Sequence, residues 1–297
     1  MTSARTILDG LYGAAATDVA ECGRGEWSVA YGFRLGADER VLRIGRHRDD
    51  FEKDRIAAQW ASPALTSPRV YDIGDAGDGF VYAVSDRVHG TTLDALDAAS
   101  FARTLPSLLA TIDAMRRADV SATRGYGQFG GDGYATFATW RDALLAVTVD
   151  APGKRVNGWR AKLAASRFGV ADFDEAAERF AALVDVCPEE RHLIHADMFN
   201  RNVFVQDSRI TGVIDWGCGM YGDFLYDIAK ELAEAESMML VGSGPKGTNP
   251  IILNAGGTPY RGFLEGRIDG EKYCLILHLS NMELKAPPRP EPAATGE

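Results

Sequence analysis

The chain has 297 residues, 46% of them hydrophobic and 25% charged, a composition typical of a globular protein with one large domain or two lobes. Its 42 acidic residues outnumber its 32 basic ones, and the formal charge of −10 argues against a nucleic-acid partner. An acidic surface suits either a cationic ligand or solubility alone.

The cysteines and the N-terminal residues indicate the compartment. The four cysteines lack the spacing of a zinc site or of a disulfide framework, so we expect reduced thiols. The first residues, MTSARTILDGLYG, lack the basic start and apolar run of a signal peptide, and no segment is long and apolar enough to span a bilayer. We therefore expect a cytoplasmic protein with no membrane partner.

Residues 1–90 alternate as β-strands do, with one helix among them. VAYGFRL and RVLRIG predict two strands that form a hairpin around the turn GADE. Residues 49–61 begin with acidic side chains and carry apolar Phe51, Ile56 and Trp60, which predicts a short helix. RVYDIG and FVYAVS add two strands separated by DAGDG. The sequence thus predicts a small antiparallel sheet with one helix against it.

Beyond residue 90 the apolar period changes from two to about 3.6, which predicts a mainly helical second part. Pro106 lies inside the first predicted helix, and residues 174–186 repeat the helical pattern. We expect an α+β protein with a sheet lobe at 1–90, a hinge at 85–90, a helical lobe at 91–285 and a disordered tail at 286–297. The predicted buried face of the first helix consists of Phe101, Leu105, Leu108, Ile112 and Met115.

The most informative stretch is HLIHADMFNRNVFVQDSRITGVIDWG, residues 192–217. VFV and ITGVI are β-rich runs joined by polar QDSR, so we expect them to pair antiparallel. Asn202 precedes the first run and Asp215 follows the second, which places both at the same end of the hairpin. A carboxylate and an amide oxygen there are suitable ligands for magnesium.

Asp197 precedes Asn202 in the same loop, within reach of a hydroxyl that attacks a phosphorus atom held at the metal. We therefore predict that Asp197 is a catalytic base. His195 is expected to pack beneath the loop and orient it, because phosphoryl transfer already has its base in Asp197.

These motifs resemble the aminoglycoside phosphotransferases, whose fold is similar to that of eukaryotic protein kinases. The resemblance runs from about residue 21 to residue 236 through VLRIG, DFEKDR, SPRVYDIGD, HGTTL, GYGQFG, TWRDAL, CPEERHLIHAD and RITGVIDW. Within the family, the chain is most similar to the members that phosphorylate hygromycin B. The resemblance implies a two-lobed fold with residues 1–90 as the nucleotide-binding lobe. It also implies that Asp197 is the catalytic aspartate and that Asn202 and Asp215 are magnesium ligands.

The resemblance also assigns nucleotide-binding residues in the first lobe. Arg43 stands where kinases place the strand lysine that grips the phosphates, and an arginine can clamp phosphate oxygens bidentately. The other interpretation of Arg43 is a solvent-facing strand residue. Its partner carboxylate is expected from helix 49–61, where Asp54 matches best and Glu52 is the competing choice; both could also be ordinary solvated charges.

Two further pairs of residues follow from the same resemblance. Gly25 and Ser28, in GRGEWS, match the loop over the triphosphate, although a simple turn between strands explains them equally well. Asp86 and Val88 match hinge positions that offer backbone groups to adenine. Asp227 is expected to cap its helix or tie it to the catalytic loop.

The acceptor site is less defined by sequence. Glu231, Glu234 and Glu236 are candidates for holding a cationic acceptor, or an ordinary solvated helix face. Residues 240–297 depart from the family pattern. The function implied is transfer of the ATP γ-phosphate, with Mg²⁺, to a hydroxyl of an aminoglycoside such as hygromycin B, by a monomer that confers antibiotic resistance. The alternatives are a kinase of a choline, homoserine or sugar hydroxyl, and an inactive nucleotide-binding homologue.

Overall fold

The computed structural model describes residues 3–198 and 201–227, together with the backbone of two strands at 263–268 and 271–276. The chain forms two compact units, Met1–Trp140 with Pro188–Ile228, and Arg141–Cys187 with Ala229–Glu297. The predicted lobe boundary near residue 90 lies inside the first unit and stays a prediction. Every predicted site residue that the structure describes belongs to this first unit.

The first unit opens with a helix and a five-stranded antiparallel sheet of order β1-β2-β3-β5-β4. A second helix, α2, lies between β3 and β4, as the sequence predicted for residues 49–61. These elements are α1 (Ala4–Tyr12), β1 (Ala16–Arg24), β2 (Ser28–Leu35), β3 (Asp38–Gly45), α2 (Arg48–Ala57), β4 (Val70–Gly77) and β5 (Phe80–Asp86).

The sequence predicted two strands before α2, and the structure has three. Strand β1 was missed because only Ala16 at its start is buried, so its residues lack the alternation of a half-buried strand. Ser3 caps helix α1, because its hydroxyl accepts from the Thr6 N–H, and the apolar side of the helix covers the sheet. The core between them consists of Ala4, Ile7, Leu8, Ala16, Phe33, Leu42, Ile44, Ala76 and Val84.

A long helix follows the sheet, and its buried face differs in part from the predicted one. Asp97 caps it by accepting from the Ser100 N–H at 2.7 Å, and it continues through Pro106. Leu105 was predicted to be buried but is 40% exposed, whereas Thr104 is buried. The helix turns by about 100° per residue, so positions 104 and 105 both lie on the same side as Leu108. The surface on which the helix packs buries Thr104 rather than Leu105. The elements here are β6 (Thr91–Thr92) and α3 (Ala98–Arg116).

The remaining strands of the first unit form two small sheets. One has the order β11-β10-β6 and the other the order β8-β7-β12-β9. The helix predicted at 174–186 lies at Ala171–Val184 in the second unit. The remaining elements are β7 (Tyr126–Phe129), β8 (Ala135–Phe137), α4 (Trp140–Leu145), α5 (Trp159–Ala165), α6 (Ala171–Val184), β9 (His192–Ile194), β10 (Val203–Gln206), β11 (Arg209–Val213), β12 (Met220–Gly222), β13 (Phe263–Ile268) and β14 (Glu271–Ile276).

The described part of the chain contains no helix that is long and apolar enough to cross a membrane.

Candidate active site

The hairpin predicted for VFV and ITGVI is confirmed. Strands β10 and β11 pair antiparallel, with Val203 opposite Val213. The two turn residues, Asp207 and Ser208, have positive φ values of 51° and 60°, as a tight two-residue hairpin turn requires. The polar QDSR segment is therefore the turn, and the open end of the hairpin lies at residues 202 and 214.

This open end brings Asn202 close to Asp215. The N–H of Ile214 donates to the carbonyl of Asn202 over 2.9 Å. Asp215 follows in the left-handed conformation, with φ 62° and ψ 65°, which ends the strand and turns the chain sharply. Its side chain is 44% exposed. The predicted placement of both residues at one end of the hairpin is confirmed.

Asn202 also contacts Asp197. Its amide nitrogen donates to the Asp197 carbonyl oxygen at 2.9 Å and to the carboxylate Oδ2 at 3.0 Å. Because the nitrogen of the amide faces Asp197, its oxygen is the atom left to accept or coordinate. The loop and the hairpin end thus hold Asp197, Asn202 and Asp215 in one cluster.

His195 lies beneath this cluster and is completely buried. Its Nε2 donates to the carbonyl of Ile214 at 2.9 Å, while its Nδ1 accepts from the Asp197 N–H at 3.2 Å. Both bonds are satisfied by the neutral ring protonated on Nε2. The ring also packs against Trp216, with centroids 4.6 Å apart. His195 therefore orients the loop, as predicted.

Asp227 holds the same loop from the other side. Its two carboxylate oxygens accept from the backbone N–H groups of His195 at 2.8 Å and Ala196 at 2.7 Å. Ala196 has a φ of 63°, an unusual conformation for a residue with a Cβ. Asp227 is only 2% exposed, and charge-assisted hydrogen bonds that a buried carboxylate accepts are strong. The predicted tie between Asp227 and the catalytic loop is confirmed.

Arg43 on β3 forms an ion pair with Asp54 on α2, at 2.5 Å from Nη1 to Oδ2. The second carboxylate oxygen of Asp54 accepts from the Trp216 N–H at 2.7 Å, and Arg43 reaches Asp215 at 3.4 Å. The side chain of Arg43 is largely buried, which rules out the solvent-facing interpretation. Strand, helix and the segment after β11 are therefore joined by one charged network.

Burial and the neighbouring charges set the pKa values in this network. Burial, opposed by Arg43, raises the pKa of Asp54 to about 6. Burial alone would lower the pKa of Arg43, but Asp54 and Asp215 together raise it above its ordinary value. The ion pair thus favours the charged form of Asp54 and opposes the effect of its burial.

Glu52, the competing partner for Arg43, is placed elsewhere. Its carboxylate pairs with Arg48 at 3.2 Å and with Arg55, both on the same helix. These contacts are ordinary pairs on a helix surface. The choice between the two acidic residues is therefore decided in favour of Asp54.

Gly25 and Ser28 border the turn between β1 and β2. The Gly25 N–H donates to the Ser28 carbonyl at 2.9 Å, which closes a tight turn around Trp27. This turn lies directly over the end of β3, because a Cβ on Gly45 would come within 2.9 Å of the Trp27 carbonyl oxygen. Gly45 was not singled out from the sequence, although its position at the end of VLRIG is visible there.

The two predicted hinge residues differ in their backbone contacts. The Asp86 N–H donates to the Arg69 carbonyl at 3.0 Å, and its carboxylate accepts from Arg40 and the Tyr71 hydroxyl. Within residues 3–198 and 201–227, the backbone of Val88 makes no hydrogen bond. Val88 can therefore offer its amide and carbonyl to a ligand, whereas the amide of Asp86 is already used.

Comparison with known proteins places this arrangement in a family. Residues 22–244 match the phosphotransferase enzyme family, APH. The chain belongs to this family. Hygromycin-B 4-O-kinase of Escherichia coli is 35% identical over 216 residues, which are 72% of this chain and 62% of that protein. The chain therefore spans less than two thirds of that relative's length.

Two solved structures support the assignment. A thermostable mutant of aminoglycoside phosphotransferase APH(4)-Ia, in a ternary complex with AMP-PNP and hygromycin B, is 33% identical with a TM-score of 0.72, and the match covers 80% of this chain and 82% of that one. A second APH(4)-Ia structure is 31% identical with a TM-score of 0.70, over 80% and 84% of the two chains. The resemblance and the α+β, protein-kinase-like fold class that the sequence predicted are confirmed.

One residue that contacts the candidate site was not predicted. Lys53 on α2 donates from Nζ to the Gly217 carbonyl at 3.1 Å, two residues after Asp215. In the sequence, Lys53 lies four residues after Asp49 and looks like half of a solvated helical pair. No pattern in the sequence indicates that its ammonium group is buried.

The candidate acceptor residues lie outside the described residues; they are Glu231, Glu234 and Glu236. The same holds for most of segment 240–297, which departs from the family pattern, and for the predicted tail at 286–297. Their roles stay predictions.

Proposed function

We propose that this phosphotransferase transfers the γ-phosphate of ATP, with Mg²⁺, to a hydroxyl group of an aminoglycoside. The observation that carries the proposal is the cluster of Asp197, Asn202 and Asp215 beside the Arg43–Asp54 ion pair. A base, two oxygen ligands and a phosphate clamp in one place are the parts that phosphoryl transfer to a hydroxyl requires.

Asp197 is the proposed catalytic base. Its carboxylate is oriented by Asn202 and its backbone by His195, so it is held in a fixed position before substrate arrives. From there it accepts the proton of the attacking hydroxyl as the new oxygen–phosphorus bond forms. Asp227 supports this role indirectly, because it fixes the backbone on which Asp197 stands.

Asn202 and Asp215 are the proposed magnesium ligands, and the described atoms fit a hard cation. The Asn202 amide nitrogen donates to Asp197, so its oxygen is available, and the Asp215 carboxylate is exposed beside it. Carboxylate and amide oxygens are ligands that Mg²⁺ prefers. When bound, the ion neutralises charge on the transferred phosphate.

The nucleotide-binding roles of Arg43, Asp54, Gly25, Ser28, Asp86 and Val88 belong to the same proposal. The ion pair with Asp54 leaves Arg43 pointing at the segment that carries Asp215, where phosphate oxygens would lie. The tight turn from Gly25 to Ser28 supports a role as the cover of the triphosphate. The backbone of Val88, which forms no hydrogen bond with the described residues, supports a contact with adenine. We also propose a cytoplasmic location, because Cys22 and Cys218 form no disulfide bond among the described residues.

Hygromycin B is the proposed acceptor, and a monomer is the proposed state. The support is the likeness to hygromycin-B 4-O-kinase and to APH(4)-Ia bound to hygromycin B. The formal charge of −10 also favours a polycationic acceptor over an anionic one. Antibiotic resistance would follow from phosphorylation of the drug.

The test is ADP release by the purified chain with ATP and Mg²⁺, against a panel of aminoglycosides and of choline, homoserine and sugar acceptors. We expect hygromycin B to stimulate ADP release and to gain one phosphoryl group in mass spectrometry. Stimulation by a metabolite alone would contradict the acceptor assignment. Binding of magnesium and ATP without transfer to any acceptor would contradict the enzymatic function itself.

A further inference from the structure

Lys53 is a buried cation that none of the proposed catalytic steps uses. It lies in the middle of α2 and is only 5% exposed. Its Nζ donates to the Gly217 carbonyl at 3.1 Å and pairs with the Asp49 carboxylate at 3.0 Å. A buried ammonium group is retained only when it is paired, because desolvation of the charge is costly. The contacts of Lys53 are therefore specific rather than incidental.

The carboxylate partner of Lys53 is itself held in place. Asp49 accepts from the Gly131 N–H at 2.5 Å, so it is fixed between its own helix and the loop between β7 and β8. Lys53 therefore has one partner on its helix and one on the segment after β11. The Nζ atom that pairs with Asp49 also donates to the Gly217 carbonyl.

The segment that Lys53 contacts carries Asp215. Residues Trp216–Cys218 form a single 3-10 turn directly after Asp215, whose left-handed φ of 62° is unusual for a residue with a Cβ. The packing there is close, since a Cβ on Gly217 would lie 3.3 Å from Asp50 Cγ and 3.4 Å from Asp215 Oδ1. The turn is therefore packed directly against the Asp215 carboxylate.

Two consecutive residues of α2 hold this turn by its backbone. Asp54 accepts from the Trp216 N–H at 2.7 Å, and Lys53 donates to the Gly217 carbonyl at 3.1 Å. Asp54 also pairs with Arg43, so the ion pair alone is a sufficient reason for an acidic residue at this position. Lys53 has no contact with Arg43 among the described residues, so its bond to Gly217 is what it contributes to the site.

We infer that Lys53 is a positioning residue: from helix α2 it fixes the turn after Asp215 and thereby aims the Asp215 carboxylate at the metal that accompanies the nucleotide. This inference rests on the proposed function, because it takes Asp215 as a magnesium ligand. It predicts that Lys53 contributes to the part of nucleotide affinity that depends on Mg²⁺, and not to the part that remains without it.

The test measures AMP-PNP affinity by titration calorimetry, once with Mg²⁺ and once with EDTA, for the full chain and for Lys53→Met. We expect Lys53→Met to reduce the magnesium-dependent gain in affinity by about tenfold, the order of magnitude for losing a hydrogen bond from a charged donor. Its affinity in EDTA should equal that of the unmodified chain. Lys53→Arg, which keeps the cation, should restore most of the gain.

Arg55→Met is the matched control, since Arg55 is an exposed cation of the same helix that pairs with Glu52 and not with the turn. It should leave both affinities unchanged. Lys53→Gln is the second variant if Lys53→Met does not fold, because it is uncharged but keeps an amide donor. We expect Lys53→Gln to lose part of the gain.

Three results would overturn the inference. The first is a full magnesium-dependent gain in Lys53→Met or in Lys53→Gln. The second is an equal loss of affinity with Mg²⁺ and with EDTA, which would indicate a general distortion of α2. The third is an unmodified chain that binds AMP-PNP equally well with Mg²⁺ and with EDTA, which would also contradict the assignment of Asp215 as a magnesium ligand. A normal gain without phosphotransfer to any acceptor would instead contradict only the proposed enzymatic function.

Discussion

Asp54 and Arg43 are joined by a 2.5 Å ion pair, and the same Asp54 carboxylate accepts the Trp216 N–H at 2.7 Å. One side chain thus connects strand β3 to the residue after Asp215. A cation that is buried with its partner removed destabilises a protein by about 3–5 kcal/mol, so this pair is sensitive to substitution.

Asp54→Asn should therefore weaken nucleotide binding strongly. The amide cannot neutralise Arg43, and its single oxygen cannot serve both Arg43 and Trp216. We expect KM for ATP to rise by about 10-fold to 100-fold, which corresponds to roughly 1.4–2.8 kcal/mol, together with a lower melting temperature. Glu52→Gln is the matched control on the same helix. Its KM for ATP should stay within about twofold of that of the unmodified chain, because Glu52 pairs with Arg48 and Arg55 and, in the described contacts, not with Arg43. A larger effect of Glu52→Gln would contradict the assignment of Asp54.

Asp197→Asn tests the catalytic base. The amide preserves the size of the side chain but cannot accept the hydroxyl proton. We expect kcat to fall by about 10²-fold to 10⁴-fold, the usual contribution of general base catalysis, while the affinity for ATP stays nearly unchanged. Steady-state kinetics and a binding titration measure the two quantities separately. Near-normal turnover by this variant would show that the base is another residue.

Asp215→Ala should affect binding as well as turnover. Removal of the carboxylate takes away one proposed metal ligand and the 3.4 Å contact to Arg43. We expect the magnesium-dependent part of AMP-PNP affinity to be lost, with turnover undetectable. Titration of AMP-PNP with Mg²⁺ and with EDTA measures the difference. If the two affinities still differed as in the unmodified chain, Asp215 would not be a ligand.

Asp227→Asn should destabilise the protein and the catalytic loop. Asp227 accepts from two backbone N–H groups, and the amide nitrogen of asparagine would face one of these donors. We expect a loss of about 2–3 kcal/mol in unfolding free energy, since bonds from buried donors to a charged group contribute this order. Urea denaturation followed by circular dichroism measures it.

Asp223→Asn is the control for that variant. Asp223 is also buried, but it accepts only from the nearby Leu225 N–H at 3.1 Å in the described contacts, and burial raises its pKa. Because its environment already disfavours the charge, the amide should cost less than about 1 kcal/mol. Equal losses for the two variants would mean that the tie to the catalytic loop contributes little.

Gly45→Val should displace the turn between β1 and β2. A Cβ at position 45 would lie 2.9 Å from the Trp27 carbonyl oxygen and 3.3 Å from the Phe51 ring, so the turn must move. We expect KM for ATP to rise by about tenfold, equivalent to about 1.4 kcal/mol, with a smaller effect on kcat. Gly10→Ala is the control in open space on α1 and should raise stability slightly without changing KM. An unchanged KM for Gly45→Val would argue against a triphosphate cover at this turn.

The catalytic cluster was predictable because it depends on local chemistry. β-rich runs on either side of a short polar turn form a hairpin, and a hairpin necessarily brings the residues at its open end together, here Asn202 and Asp215. Asp197 lies only five residues before Asn202 in the sequence. Helix α2 and four of the five sheet strands were likewise visible as periodic patterns.

Other features of the fold could not be predicted from the sequence. Strand β1 pairs along the sheet edge with almost no buried side chain, so it leaves no alternating pattern. The buried face of α3 was misjudged at Leu105 because two neighbouring positions both fit an apolar spacing, and only the packing surface selects Thr104. Gly45 matters because a turn from another strand passes over it, which no sequence pattern around it reports.

By itself, the sequence determined the hairpin, the positions of the proposed base and of the proposed metal ligands, and the family, because these depend on residues that are near one another in the chain. The tertiary structure decided which acidic residue of α2 meets Arg43, and that Lys53 is buried against Gly217 instead of solvated. Those choices depend on the rotation of α2 against the sheet and against the turn after Asp215. That rotation is set by the packing of residues more than 100 positions apart, as the separation of 164 residues between Lys53 and Gly217 illustrates.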